Sequence, residues 1–172
     1  MRLMARIFVV LLVLPLVASA RGRDKATCPV DKKTFDVGDK TPHVSVNDKA
    51  SYFCNDTCLK AFAKEPEKFI DGKTVGNCPA MKRKTAKVAA NRRIVINNDL
   101  WYVCCNDCMR DVPKTPANIV GNLTDPVTKK SFKPTNDSPR SESGGQIYLF
   151  EDKDGKAKFD KEPGKYVVKF GS

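Results

Sequence analysis

The sequence has a single histidine, His43. That excludes a His-rich metal site and makes any Cys–His or Ser–His catalytic pair depend on one residue. There is no glycine-rich phosphate loop, no Gly-x-Ser-x-Gly and no His-Glu-x-x-His, so the common nucleotide-binding, serine-hydrolase and zinc-protease signatures are missing. Acidic residues are in deficit: 20 Asp+Glu stand against 31 Lys+Arg, a net charge of +11. Charged residues make up 30% and hydrophobic ones 41%, which fits a folded soluble chain and argues against wholesale disorder. At about 150 residues per domain, 172 residues make one ordinary domain or several very small ones. The informative residues are the seven cysteines.

The first twenty residues read as an address. Arg2 and Arg6 precede an unbroken apolar run from Ile7 to Val17, and Ala18-Ser19-Ala20 follows as a small-residue cleavage pattern. We expect a signal peptide over residues 1–20, since the apolar run is short of the roughly 20 residues that span a bilayer. Cleavage there leaves 152 residues, charge +9 and no membrane span. A periodic signal follows. Adding 50 to Cys28, Cys54 and Cys58 gives Cys78, Cys104 and Cys108, and the same shift takes Pro29 to Pro79, Tyr52 to Tyr102 and Pro66 to Pro116. Such agreement marks an internal repeat.

A third copy lacks cysteine. Asp125-Pro126-Val127-Thr128-Lys129-Lys130-Ser131-Phe132 reads like Cys28-Pro29-Val30-Asp31-Lys32-Lys33-Thr34-Phe35. Tyr148-Leu149-Phe150 is set against Tyr52-Phe53-Cys54, and Phe159, Pro163 and Tyr166 against Phe62, Pro66 and Phe69 with one residue inserted. On that register Asp125, Phe150 and Asp154 take the three cysteine positions. We expect copies over 21–73, 74–121 and 122–172, with a loop from Pro134 to Gly145.

Within copy one, Val44-Ser45-Val46 and Ser51-Tyr52-Phe53 flank the turn signal Asn47-Asp48, and Arg93–Ile96 and Leu100–Val103 flank Asn97-Asn98-Asp99 in copy two. Asn55-Asp56 and Asn106-Asp107 are candidate helix N-caps, and Pro66 and Pro116 end or restart a helix. The fold class expected is α+β: each unit is a β-hairpin, a cysteine knuckle and a short helix.

Three thiolates from one small unit make a soft site suited to zinc or Cu(I). The candidate ligands are Cys28, Cys54 and Cys58 in copy one, and Cys78, Cys104 and Cys108 in copy two. Disulfides and reduced structural thiols are the other readings, although three cysteines per copy leave an odd sulfur in any internal pairing. Cys105 is the surplus one. It reads as a redox handle, a fourth ligand, or a strand-end side chain facing away. His43 reads as an exposed or turn residue, since Arg93 takes its place in copy two. The basic runs Lys82-Arg83-Lys84 and Arg92-Arg93 read as solvated surface.

Cys28-Pro29-Val30, Tyr52-Phe53-Cys54 through Cys58, Phe62 and Pro66-Glu67-Lys68-Phe69 resemble the YHS domain of the wider TRASH-like group. Cys78-Pro79 and Tyr102-Val103-Cys104 through Cys108 carry the same resemblance. It implies small treble-clef-like or zinc-ribbon-like units and a part in heavy-metal sensing, trafficking or resistance. The expectation is a periplasmic or secreted, non-enzymatic protein that binds zinc, copper or a related ion for sequestration, delivery or sensing. Its expected partner beyond the metal is a metal transporter or other envelope protein; nucleic acid conflicts with export. Two other readings stand. One is an envelope interaction module whose cysteines serve stability alone. The other is a thiol oxidoreductase using Cys104, Cys105 and Cys108, which lacks a nearby histidine or other evident base.

Overall fold

A computed structural model of the chain describes residues 24–171, so the expected signal peptide lies outside the described residues. β1 (Lys25–Thr27) and β2 (Thr34–Asp36) pair antiparallel around the turn that carries Cys28. β3 (His43–Val46) and β4 (Lys49–Tyr52) make a second hairpin, followed by α1 (Asp56–Lys64) and the single turn α2 (Pro66–Phe69). Pro66 opens α2 at a position where a missing N–H leaves no bond unmade. The set recurs as β5 (Thr74–Asn77), β6 (Thr85–Lys87), β7 (Arg93–Ile96), β8 (Asp99–Tyr102) and α3 (Asn106–Asp111). It recurs again as β9 (Leu123–Thr124), β10 (Ser131–Phe132), β11 (Arg140–Ser143), β12 (Gln146–Leu149) and α4 (Lys153–Lys161). The protein is thus mixed α+β with several sheets. Among the described residues no helix is long and apolar enough to cross a membrane.

The second hairpins turn on Asn47-Asp48, Asn97-Asn98 and Gly144-Gly145, all with positive φ. Two-residue turns of this hand match the twist of the flanking strands, and Asn, Asp and Gly tolerate the left-handed backbone they need.

These hairpins do not stand apart. They fuse into one six-stranded sheet in the order β11-β12-β7-β8-β3-β4. The joins are parallel and brief, Val46 against Leu100 and Ile147 against Ile96. Asparagine side chains fasten them. Asn47 Oδ1 accepts from the Tyr102 N–H at 2.7 Å, and its Nδ2 donates to the carbonyls of Tyr102 at 3.0 Å and Asn77 at 3.4 Å. Asn97 repeats the pattern one copy on. It accepts from the Leu149 N–H at 2.7 Å and donates to the carbonyls of Leu149 at 2.8 Å and Thr124 at 3.1 Å. Each turn asparagine therefore plugs into the hairpin of the following copy, satisfying backbone groups that the brief parallel joins leave over. Gly144 holds that position in copy three, after which no further copy follows among the described residues.

Copy three sits in a different register from the one its sequence suggests. Its elements lie 97 positions after those of copy one, with no insertion: β11 after β3, β12 after β4, α4 after α1. Backbone bonds fix this. Phe53 N–H bonds the Pro42 carbonyl, Val103 N–H that of Arg92, and Phe150 N–H that of Pro139. Phe150 is therefore the counterpart of Phe53 and Val103, a core position, and not of Cys54. The positions that match the three cysteines are therefore Asp125, Glu151 and Gly155, not the expected Asp125, Phe150 and Asp154. Aromatic pattern alone could not separate registers one residue apart; the helix cap does, since Asp152 matches Asn55. The loop expected from Pro134 to Gly145 also contains β11, a polar strand at the sheet edge, where one side meets solvent.

Burial is greatest in the centre of the sheet. Leu100, Trp101, Tyr102 and Val103 lie inside one core that also holds Phe53, Phe62 and five of the cysteines. β12 alternates faces: Ile147 and Leu149 join this core, while Tyr148 and Phe150 build a second with Phe159. Arg93, nearly buried, links the elements by bonding Glu67 at 2.8 Å and the Gly171 carbonyl.

Candidate metal centres

Each site is assembled from two elements. Cys28 sits in a tight turn after β1, where its N–H bonds the Lys33 carbonyl at 2.9 Å and Lys32 adopts positive φ. Cys54 ends the second hairpin, and Cys58 lies in the first turn of α1. The Asn55 side chain caps that helix by accepting from the Cys58 N–H at 2.9 Å. The spacing brings both sulfurs to one side, with Cys54 Sγ 3.5 Å from Cys58 Sγ. Cys28, Cys54, Cys58 and Asp31 offer donor atoms that all lie within 4.8 Å of one another. Asp31 Oδ2 is 3.3 Å from Cys54 Sγ.

Copy two repeats the cluster with Cys78, Cys104 and Cys108, again within 4.8 Å and all buried. Cys108 Sγ is 3.9 Å from both Cys78 Sγ and Cys104 Sγ. A zinc ion with Zn–S bonds of about 2.3 Å in tetrahedral geometry holds its sulfurs about 3.8 Å apart. A disulfide would need about 2.05 Å. The donor sets and spacings therefore fit a thiophilic ion, and these cysteine clusters could hold one.

The backbone lowers the pKa of one sulfur of each triplet. Burial raises the Cys28 thiol, but the N–H groups of Asp31, Cys54 and Val30 outweigh it and bring the pKa below the ordinary thiol value. At Cys78 burial is opposed in the same way by the amides of Cys104, Met81 and Ala80, with the same net direction. The other sulfurs move the opposite way. Burial, then Cys58 and Asp31, push Cys54 up to about 12, and burial is the first cause of the rise at Cys58, Cys104 and Cys108. A metal ion arriving here would displace those protons, which couples binding to pH.

Copy three shows what that amide cradle is for. Asp125 stands where Cys28 and Cys78 stand and is fully buried. Its Oδ1 accepts from Val127 and Thr128 at 2.9 Å each, and its Oδ2 accepts from Glu151 at 3.1 Å. These are the counterparts of Val30, Asp31 and Cys54. A carboxylate thus ties turn to helix in the copy without thiols, and a built Cβ on Gly155 would come within 3.4 Å of it.

Three features escaped the sequence reading. Asp31 joins the first cluster, and the shifted position in copy two holds Met81, whose Sδ is 3.8 Å from Cys104 Sγ. Comparing copies for identity hides a position that keeps its place and changes its chemistry. The third is the pairing of Cys105 with Cys108, since Cys105 itself reads from the sequence as a redox handle, a fourth ligand or a strand-end side chain. The strand ends at Tyr102, so strand alternation does not turn Cys105 away. It takes the N-cap place, one residue before the expected Asn106, and its Sγ lies 3.6 Å from Cys108 Sγ. Cys105-Asn106-Asp107-Cys108 is thus a Cys-x-x-Cys pair at a helix start. No cap hydrogen bond closes on the thiol, yet the Cys108 amide and then its sulfur hold Cys105 below its usual pKa. His43 is exposed, with Nδ1 3.2 Å from the Thr41 carbonyl, and belongs to neither cluster.

Cys104 belongs to the mutual cluster of copy two and Cys105 lies outside it. Cys104→Ser should therefore weaken metal binding at that site more than Cys105→Ser, measured as competition with a chromogenic chelator. Equal losses, or the reverse order, would show that the site is built one residue later. Compared with protein-family models, curated proteins and solved structures, the chain matches none of them.

Proposed function

We propose that this chain is an exported, non-enzymatic protein that binds soft or borderline metal ions at Cys28/Cys54/Cys58 and Cys78/Cys104/Cys108. Its units over 21–73, 74–121 and 122–172 are YHS- or TRASH-like, of treble-clef or zinc-ribbon kind, and the third is a degenerate member. The observation that carries this reading is the pair of triplets at metal-bridging separations, built twice on one scaffold. The role is sequestration, delivery or sensing of zinc, copper or a related ion, with a metal transporter or another envelope protein as the partner.

Purification from the native compartment under anaerobic conditions tests it. The expected product starts at Arg21 and carries zinc or copper. A product that keeps Met1, or one with neither metal and oxidised thiols, would contradict the corresponding half of the proposal. A second reading, thiol–disulfide exchange, is favoured by the Cys105–Cys108 pair at 3.6 Å. Reduction of insulin disulfides by the metal-free chain, lost in Cys105→Ser, would establish that chemistry in its place.

A further inference from the structure

We propose that the two sites are unlike in their fourth donor, Asp31 in the first and Met81 in the second, so that the first prefers zinc and the second Cu(I). The inference rests on the metal-binding reading of the triplets and adds which ion each one takes.

The two residues occupy one position of the scaffold. Asp31 and Met81 each lie three residues after the first cysteine of their copy, and the backbone N–H of each faces that cysteine. Their side chains then reach the same neighbour, the second cysteine of the triplet. Asp31 Oδ2 lies 3.3 Å from Cys54 Sγ, and Met81 Sδ lies 3.8 Å from Cys104 Sγ. Two donors sharing a tetrahedral ion sit about 3.6 Å apart for an S–O pair and about 3.8 Å for an S–S pair. The Met81 contact matches, and the Asp31 contact is somewhat closer than the ideal.

Donor chemistry separates the ions. A carboxylate oxygen is a common zinc ligand and a poor partner for a monovalent soft ion. A thioether is neutral and soft; together with thiolates it selects Cu(I). Surroundings agree. Cys54 is partly exposed and the Asp31 side chain is 26% exposed, whereas all three cysteines of the second triplet are buried. Burial of the three cysteines keeps water and other oxygen donors away from them, which suits a soft ion held by sulfur alone.

Met81 is itself anomalous. At 40% exposure it is the one large hydrophobic side chain recorded as exposed among the described residues. Packing in the core does not explain it, and its Sδ lies 3.8 Å from Cys104 Sγ. The opening beside it is lined by Pro79, Lys82, Asp107 and Cys108, which gives an ion a way in.

The test uses the reduced full chain with Met81→Leu and Asp31→Asn. Both changes keep shape: leucine matches methionine in volume, and asparagine keeps an oxygen for the Lys33 N–H that Asp31 Oδ1 accepts at 3.1 Å. Zinc and Cu(I) affinities are read by chelator competition, and the donor set by X-ray absorption. Met81→Leu should weaken Cu(I) binding by about tenfold or more, the scale on which even outer partners of a metal count, and remove one sulfur from the copper shell. Zinc affinity should stay as it was. Asp31→Asn should do the reverse. Unchanged Cu(I) affinity and sulfur count in Met81→Leu would overturn the inference while leaving the triplets as metal sites. Failure of the parent chain to bind either ion would overturn the metal-binding reading itself, and this inference with it.

Discussion

Phe150→Ala will cost about 3–5 kcal/mol of folding stability, as large core truncations do. Phe150 has no exposed surface, and its ring centroid is 5.2 Å from that of Phe159. Phe159 in turn stands 4.5 Å from Tyr148 and 6.0 Å from Tyr166. These rings form a core separate from the main one, with only Val127, Tyr166 and Val167 packed against them as partly buried hydrophobic side chains. Copy three has no thiol cluster to hold it, which makes its aromatics the main support of the hairpin–helix pair. Denaturant unfolding measures the loss. A change within about 0.5 kcal/mol, as at an ordinary surface position, would mean that copy three does not rest on this core.

Asp125→Ala should be nearly as damaging, at about 3–5 kcal/mol, from three amide donors that each lose about 1–3 kcal/mol when left without a partner in a buried place. The loss should not depend on added zinc or Cu(I). Cys28→Ala and Cys78→Ala remove the same three-amide acceptor, but there the penalty should grow when the parent is metal-loaded. A bound ion adds about 4.1 kcal/mol at a free concentration a thousand times its Kd. Melting with and without metal separates the two cases. A metal-dependent penalty at Asp125 would show that the carboxylate is a ligand and not a replacement for one.

The sequence displays the repeat because its chemistry is strict there. A turn that must adopt positive φ twice selects Asn47-Asp48 and Asn97-Asn98, and a cluster of three sulfurs tolerates no drift in spacing, so both survive as visible pattern. Copy three has no sulfurs to anchor its register; hydrophobic pattern alone cannot tell Phe150 at the place of Cys54 from Phe150 at the place of Phe53. The fused sheet is hidden for another reason. Its joins depend on Asn47 reaching Tyr102 and Asn97 reaching Leu149, contacts between copies that local periodicity does not encode. Asp31 and Met81 belong to the same class: each is set by where a turn delivers a side chain. Their roles become readable only once the cradle around Cys28, Cys78 and Asp125 is seen to be one structure used three times.

The most direct measurement is metal stoichiometry of the fully reduced chain, by anaerobic titration with zinc, Cu(I) and cadmium. Two tight sites per chain are expected, falling to one in Cys28→Ser or Cys78→Ser and to none in the double variant. Asp125→Ala should leave the count at two. Zero tight sites across all three ions, or a count unmoved by the cysteine substitutions, would contradict the claim that the two triplets are metal centres.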